Sequence, residues 1–482
     1  MATARRNVLM CLNQAPGRGP NLSALAQERE ALVTPGDTAS GFPSTAARRP
    51  GFLWGVSTSA FQIEGATRED GRGPSVWDTY GQRGEIANHD TGDIACDHYH
   101  RYREDIALMQ RLGIQAYRFS VAWPRVLPAG RGTSNEPGLE FYDRVIDALL
   151  EAHIEPWLCL YHWDLPQALD DLGGWPNRDI VGWFSEYATL VAKRYGDRVK
   201  RFATFNEPSI FTLFGSGMGG GKRDRSGIDS FHRAIHHVNL AHGAAVDILR
   251  AQAPGSLIGC INNFQPILPS SPADAQAAET CDAYWNKAFP DPQNLGSYPP
   301  LLQAAMAPHM RAGDLERIHR KVDWFGLNHY SPVFMKADAN ERLGFNFGDR
   351  PPGTPVTAID WPIMPDAFRD TILLVGKRYG LPVYVLENGL GNRDKPDAAG
   401  QVPDKDRIDF LRAYIGALNE AAKAGADIRG YFIWSLLDNF EWDQGYSVRF
   451  GLTYVDYPTQ RRIPKASFEW YRHLIKTAGD RA

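Results

Sequence analysis

Eight short apolar runs, each followed by a longer amphipathic or polar stretch, constrain what this chain can fold into more than any other feature. The runs are residues 51–57, 114–121, 154–161, 199–205, 256–262, 322–328, 382–386 and 428–434. Segments with a helical period lie between them, at 97–112, 139–153, 178–195, 230–252, 366–379 and 405–424. Parallel strands cannot be joined by a tight turn and need a helical crossover, whereas hairpins would show short Gly- or Asn-rich links. Eight such units predict an α/β fold, a single (β/α)8 TIM barrel with long βα loops, in preference to an open doubly wound sheet. Gly113, Gly196, Gly380 and Gly425 follow helical segments where a left-handed cap is expected.

The 482 residues would accommodate about three domains of roughly 150. The strand count instead assigns 49–482 to one barrel and leaves 1–48, rich in small and turn-forming residues, as a loosely packed or disordered tail. Lysine and arginine number 52 against 56 acids, a net charge of -4, which is a poor footprint for nucleic acid or an anionic membrane. No apolar run is long enough to span a bilayer. Cys11, Cys96, Cys159, Cys260 and Cys281 contain no CxxC pair, so neither a disulfide framework nor a zinc knuckle is expected. The apolar patch from Val8 to Leu12 is shorter than a secretory core, so a cytoplasmic location is expected, with export left open. No GxGxxG follows a strand, and neither cofactor nor metal is expected. The partner expected is an uncharged small molecule, bound by a monomer or a homo-oligomer.

Barrels of this kind assemble their sites just past the C-terminal ends of the strands. Those positions hold Gln62 and Glu64 after the first run, Arg118 and Trp123 at the second, and His162 and Trp163 after the third. Asn206 and Glu207 end the fourth, Asn262 and Asn263 the fifth, Asn328 and Tyr330 the sixth, and Glu387 and Asn388 the seventh. Trp434, Glu441 and Trp442 follow from the eighth. Carboxylates, amides, an imidazole and indoles, with no lysine cluster for phosphate, suit a neutral sugar. Two glutamates across a barrel can act as acid and nucleophile, and a separation of about 5 to 5.5 Å selects retention of configuration. The acid must then hold its proton near neutral pH, and a neighbouring carboxylate raises its pKa. Arg118 is the cation expected beside the nucleophile.

The segments TFNEP (204–208) and LENG (386–389) resemble the acid/base and nucleophile motifs of glycoside hydrolase family 1, the β-glucosidase family. FLWGVSTSAFQIEGA (52–66), RFSVAWPRVLP (118–128), YHWDLPQAL (161–169), GLNHYSP (326–332) and WSLLDNFEW (434–442) resemble the family's other motifs, in family order. The resemblance implies Glu207 as acid/base and Glu387 as nucleophile. It implies Gln62, His162, Trp163, Asn206, Asn328, Glu441 and Trp442 around the sugar, Trp434 as its stacking floor, and Tyr330 with Arg118 beside the nucleophile. The implied reaction is hydrolysis of terminal β-D-glucosyl residues, and galactosyl or fucosyl ones, from β-glucosides and cello-oligosaccharides. A mainly transglycosylating enzyme and a non-catalytic sugar-binding protein are the alternatives. Glu441 argues against 6-phosphosugars, whose charge would meet a carboxylate. Ser209 stands where many relatives have a tryptophan, and with Lys222, Arg223 and Arg225 it leads to an expectation of tolerance for bulky aglycones.

Other groups read as structural. His98 and His100 point to different sides of a helix, and His232 and His236 lack an HExxH context. Trp54, Trp157, Trp183 and Trp324 are expected in the core, Glu64 as a supporting carboxylate, and Asp438, Asn439 and Phe440 as shapers of the loop that delivers Glu441.

Overall fold

The computed structural model describes residues 51–215 and 227–479. Eight parallel strands close into a barrel: β1 (Leu53–Ser57), β2 (Ala116–Ser120), β3 (Glu155–Tyr161), β4 (Arg201–Asn206), β5 (Leu257–Asn263), β6 (Trp324–Asn328), β7 (Val383–Asn388) and β8 (Ile428–Trp434). Each strand pairs with its sequence neighbours, and β1 pairs with β8 from Leu53↔Gly430 to Ser57↔Trp434, which closes the ring. The α/β barrel predicted from the alternation is the observed fold.

Helices α1 (His98–Leu112), α2 (Glu136–Glu151), α3 (Ile180–Tyr195) and α4 (Ile228–Gln252) follow β1 to β4. After β5 come α5 (Ala275–Asp282) and the π-helical turn Ala283–Lys287, then further short pieces. The outer ring is completed by α6 (Pro365–Tyr379), α7 (Lys405–Lys423) and α8 (Ala466–Gly479). Gly113 and Gly380 have φ of 81° and 65° and donate back into α1 and α6. Gly196 differs from its expected left-handed cap: its φ is −66°, and a Cβ there would meet Ala192 O at 2.5 Å, so a close approach requires the glycine.

Large rings plug the barrel interior. Trp157, Trp324, Tyr384 and Phe432 pack with centroids 4.8 to 6.0 Å apart, near ordinary edge and tilted contacts. Gly55 makes room for them, since a Cβ there would lie 2.4 Å from the Phe432 ring. Trp54, Trp157 and Trp324 are buried as expected, while Trp183 is half-buried. The residues beyond eight ordinary β/α units lie in loops. The loops after β5 and β6 together form a small sheet of Ile267–Pro269, Val333–Ala337 and Phe345–Phe347, and the loop after β8 holds a hairpin of Thr453–Asp456 with Arg461–Pro464. Neither was legible as a strand, because each is three to five residues long and has no helix to punctuate it.

The groups read as structural have partners away from the barrel mouth. His98 meets Asp105 at 2.8 Å in the interior, and His100 pairs with Asp97 on the surface. His232 reaches Tyr284 OH, and His236 lies between Tyr298 and Asp314. Glu64 accepts from Arg125 and Tyr142. Cys96, Cys159, Cys260 and Cys281 are buried free thiols. Among the described residues no helix is long and apolar enough to cross a membrane. The tail at 1–48, Cys11, and the loop cations Lys222, Arg223 and Arg225 lie outside the described residues.

Candidate active site

A cavity opens at the C-terminal mouth of the barrel, where the strand-end residues were expected to converge. Glu207, Glu387, His162, Trp163, Asn206, Tyr330, Trp434, Glu441 and Trp442 all border it. Arg118, Asn328 and Gln62 stand behind its wall.

Glu387 lies inside β7, which runs two residues further than the apolar run suggested. The β6–β7 register shifts between Val385 and Glu387, a local irregularity that re-aims the end of the strand. Its Oε1 is ion-paired with Arg118 Nη2 from β2. Its Oε2 accepts from Tyr330 OH at 2.6 Å. Arg118 is itself 1% exposed and also donates to Thr58 O at 3.2 Å, so the cation has little freedom to leave.

Glu207 sits one residue past β4 with φ of 51°, a left-handed conformation that is uncommon outside glycine. Trp163 and Trp442 share this feature, with φ of 76° and 52°. Such residues cost of order 1–3 kcal/mol each and cluster where function holds them. Among the described residues, only neutral donors meet the Glu207 carboxyl. Asn328 Nδ2 and Asn263 Nδ2 both reach Oε1, at 2.8 and 3.0 Å. Burial pushes its pKa up to about 8, the charge of Glu387 adds to that, and the two amides oppose it.

A continuous chain joins the two carboxyl groups. Glu207 Oε1 accepts from Asn328 Nδ2, which also donates to Asn206 Oδ1 at 3.0 Å. Asn206 Oδ1 lies 3.4 Å from Arg118 Nη2, which holds Glu387. Arg118 Nη1 donates to His162 Nδ1 at 3.0 Å. The other ring nitrogen, Nε2, lies 3.2 Å from Asn206 Nδ2. Burial and the Arg118 charge drive the His162 pKa well below its usual value, so the ring is neutral.

The aromatic residues form the rest of the pocket. His162 lies parallel to both Trp434 and Trp442, at 5.9 Å. Trp163 packs on Trp442 at 4.7 Å and donates its indole N–H to Asn206 O. Trp434 Nε1 donates to Glu441 Oε1 at 3.3 Å, opposing the burial that pushes this carboxyl up to about 8. Gln62, expected among the sugar contacts, is fully buried, and both its amide hydrogens go to the protein, to Asn439 Oδ1 and Phe440 O. Asp438 is tied to Lys465 and Arg449, so the loop delivering Glu441 is held from both sides.

Sequence reasoning missed several of the residues here. Ile359, Trp361, Val448 and Phe450 line the cavity from long loops that carry no periodic signal. Asp443, next to Trp442, also borders it, with a pKa raised by burial to about 7. Asn263 was noticed at a strand end but given no role, and Trp285 gave no signal because only the fold brings it to the mouth.

A closed parallel barrel with two buried carboxyl groups facing a cavity walled by indoles, amides and an imidazole defines a glycoside-cleaving class of enzyme. The sequence model of glycosyl hydrolase family 1 matches residues 45–480. The chain belongs to that family. It is 42% identical over 437 residues to β-glucosidase A of Thermotoga maritima, covering 89% of this chain and 98% of the relative. It is 44% identical over 477 residues to thermostable β-glucosidase B of Thermobispora bispora, covering 96% of each. A bifunctional β-D-glucosidase/β-D-fucosidase of Bifidobacterium breve is 42% identical over 457 residues, covering 88% of this chain and 97% of that protein. The solved structure of the Thermotoga maritima β-glucosidase in complex with glucoimidazole superposes with a TM-score of 0.84 at 42% identity, covering 89% of this chain and 98% of that one.

Proposed function

We propose that this family 1 enzyme is a retaining β-glucosidase, with Glu387 as nucleophile and Glu207 as acid/base. The unequal surroundings of the two carboxyl groups carry this reading: a cation and a phenol on Glu387, two amides on a proton-holding Glu207. Glu207 Oε1 already accepts two hydrogen bonds, so its proton belongs on Oε2. That proton passes to the glycosidic oxygen while a Glu387 oxygen bonds to the anomeric carbon and the C–O bond to the aglycone breaks. The aglycone departs as an alcohol. Glu207, now ionised, takes a proton from water, whose oxygen displaces Glu387 and restores the β configuration.

The remaining residues hold the sugar. The Trp434 ring offers a flat apolar face to the C–H side of a pyranose. His162, at the cavity wall, contacts a ring hydroxyl, and Glu441 meets two adjacent ones. Gln62 supports this from behind by fixing the segment that carries Glu441. The favoured substrates are unphosphorylated β-glucosides and cello-oligosaccharides, with β-galactosides and β-fucosides as slower ones. Residues 49–482 serve as one catalytic unit, and 1–48 lie outside it.

Three measurements test this. A 2-deoxy-2-fluoro-β-glucoside with a good leaving group should add one glycosyl mass to the protein, on the peptide containing Glu387, and proton NMR should show β-glucose as the first product. A label elsewhere, or α-glucose first, overturns the mechanism. Faster turnover of an aryl β-glucoside 6-phosphate than of the parent glucoside overturns the substrate class.

A further inference from the structure

The turn after α5 reaches the active site by a route that the mechanism above does not use. Ala283–Lys287 is a π-helical turn, a rare form that often marks functional positions. Its central residue, Trp285, is 6% exposed and packs with Ile210 and Val333 at the cavity wall. Trp285 Nε1 donates to Asn263 Oδ1 at 3.0 Å, and Asn263 Nδ2 donates to Glu207 Oε1 at 3.0 Å. The next residue, Asn286, anchors the turn to the exit of β5: its Oδ1 accepts from Gln265 N and its Nδ2 donates to Gln265 O.

An asparagine amide can present either its oxygen or its NH2 to a neighbour, but an indole can only donate. The atom of Asn263 facing Trp285 must therefore be the oxygen, which turns the NH2 towards Glu207. We propose that Trp285 is a positioning residue for the acid/base step: by orienting the Asn263 amide it keeps Oε1 of Glu207 an acceptor and leaves the transferable proton on Oε2. This rests on the reading of Glu207 as acid/base. Without the indole donor the amide is free to rotate and offer its oxygen, and a proton on Oε1 would then bond to Asn263 instead of facing the glycosidic oxygen.

The test uses Trp285→Phe, which keeps a ring in the wall and removes the donor, with Asn263→Ala and the double variant. Aryl β-glucosides of one size and graded phenol acidity are compared, so that lost packing against the aglycone does not enter. The expected result for Trp285→Phe is a steeper dependence of log kcat/KM on leaving-group pKa. Loss of one oriented hydrogen bond predicts about a fivefold drop for the poorest leaving group and little change for the best. The alkaline limb of the pH profile should also move upward, because one amide that favours the ionised Glu207 is lost. Glu387 on β7, His162 after β3, Tyr330 after β6, and Glu441 and Asp443 after β8 also face this cavity, with Arg118 of β2 behind Glu387, and all are unchanged by the substitution. The double variant should match Asn263→Ala alone, since Trp285 acts through that amide. An unchanged slope and limb, or additive losses in the double variant, overturns the proposal. Glu207→Ala run alongside separates the two readings: if it leaves the leaving-group dependence unaltered, the acid/base assignment fails first.

Discussion

The two sides of the cavity present the same side chain in opposite surroundings. On the β7 side, Glu387 meets a guanidinium and a phenol. On the β4 side, Glu207 meets two amides and, among the described residues, no cation of its own, and burial lifts it to about 8. The contrast teaches that what faces a carboxyl group sets its charge preference, since nothing in the two carboxyl groups differs.

Removing the anionic side should have the largest effect. Glu387→Gln keeps the shape but loses the nucleophile, and kcat on an aryl β-glucoside should fall by about 10⁴-fold or more while the circular dichroism spectrum stays that of the parent. Steady-state activity within tenfold of the parent would break the comparison outright. Glu207→Ala comes next, with a fall of about 10²- to 10⁴-fold on cellobiose and far less on a dinitrophenyl β-glucoside. Added azide should restore turnover of the latter and yield β-glucosyl azide; no rescue would count against the acid/base role. Tyr330→Phe removes one donor from Glu387 while leaving Arg118, and about a tenfold drop in kcat is expected, visible also as slower labelling by the fluoroglucoside.

The smallest effects concern pH. Glu207 must be protonated to act, so kcat/KM should decline above about pH 8, and Glu207→Gln assayed on an activated glycoside should lack that limb. Stability follows with its own sign. A carboxyl whose folded pKa is raised adds stability at low pH that is lost as pH climbs through the folded value. Glu207→Gln should therefore melt higher than the parent at pH 9 and similarly at pH 5. Calorimetry showing the reverse order would mean that Glu207 is not raised.

Most of the architecture was legible because its signals are local. The eight apolar runs recur in β1 to β8 with ends shifted by at most two residues. Bulges and turn sheets were not, because they depend on partners far along the chain. The short strands Ile267–Pro269 and Val333–Ala337 pair only after the loops after β5 and β6 have come together. The site shows the same division. Motif positions gave the residues of the mouth, but Gln62 faces protein groups, and Trp285 with its orienting bond to Asn263 left no trace in the sequence.

By itself the sequence determined the number and order of the β/α units and placed carboxylates, amides and indoles at the strand ends, since strand and helix periods act over a few residues. The tertiary structure decided which glutamate is paired and which holds a proton. Arg118 reaches Glu387 from 269 residues away, and Asn328 reaches Glu207 from 121. Coulomb and hydrogen-bond energies depend on distance in space and on exclusion of water, and both are set only when the barrel closes.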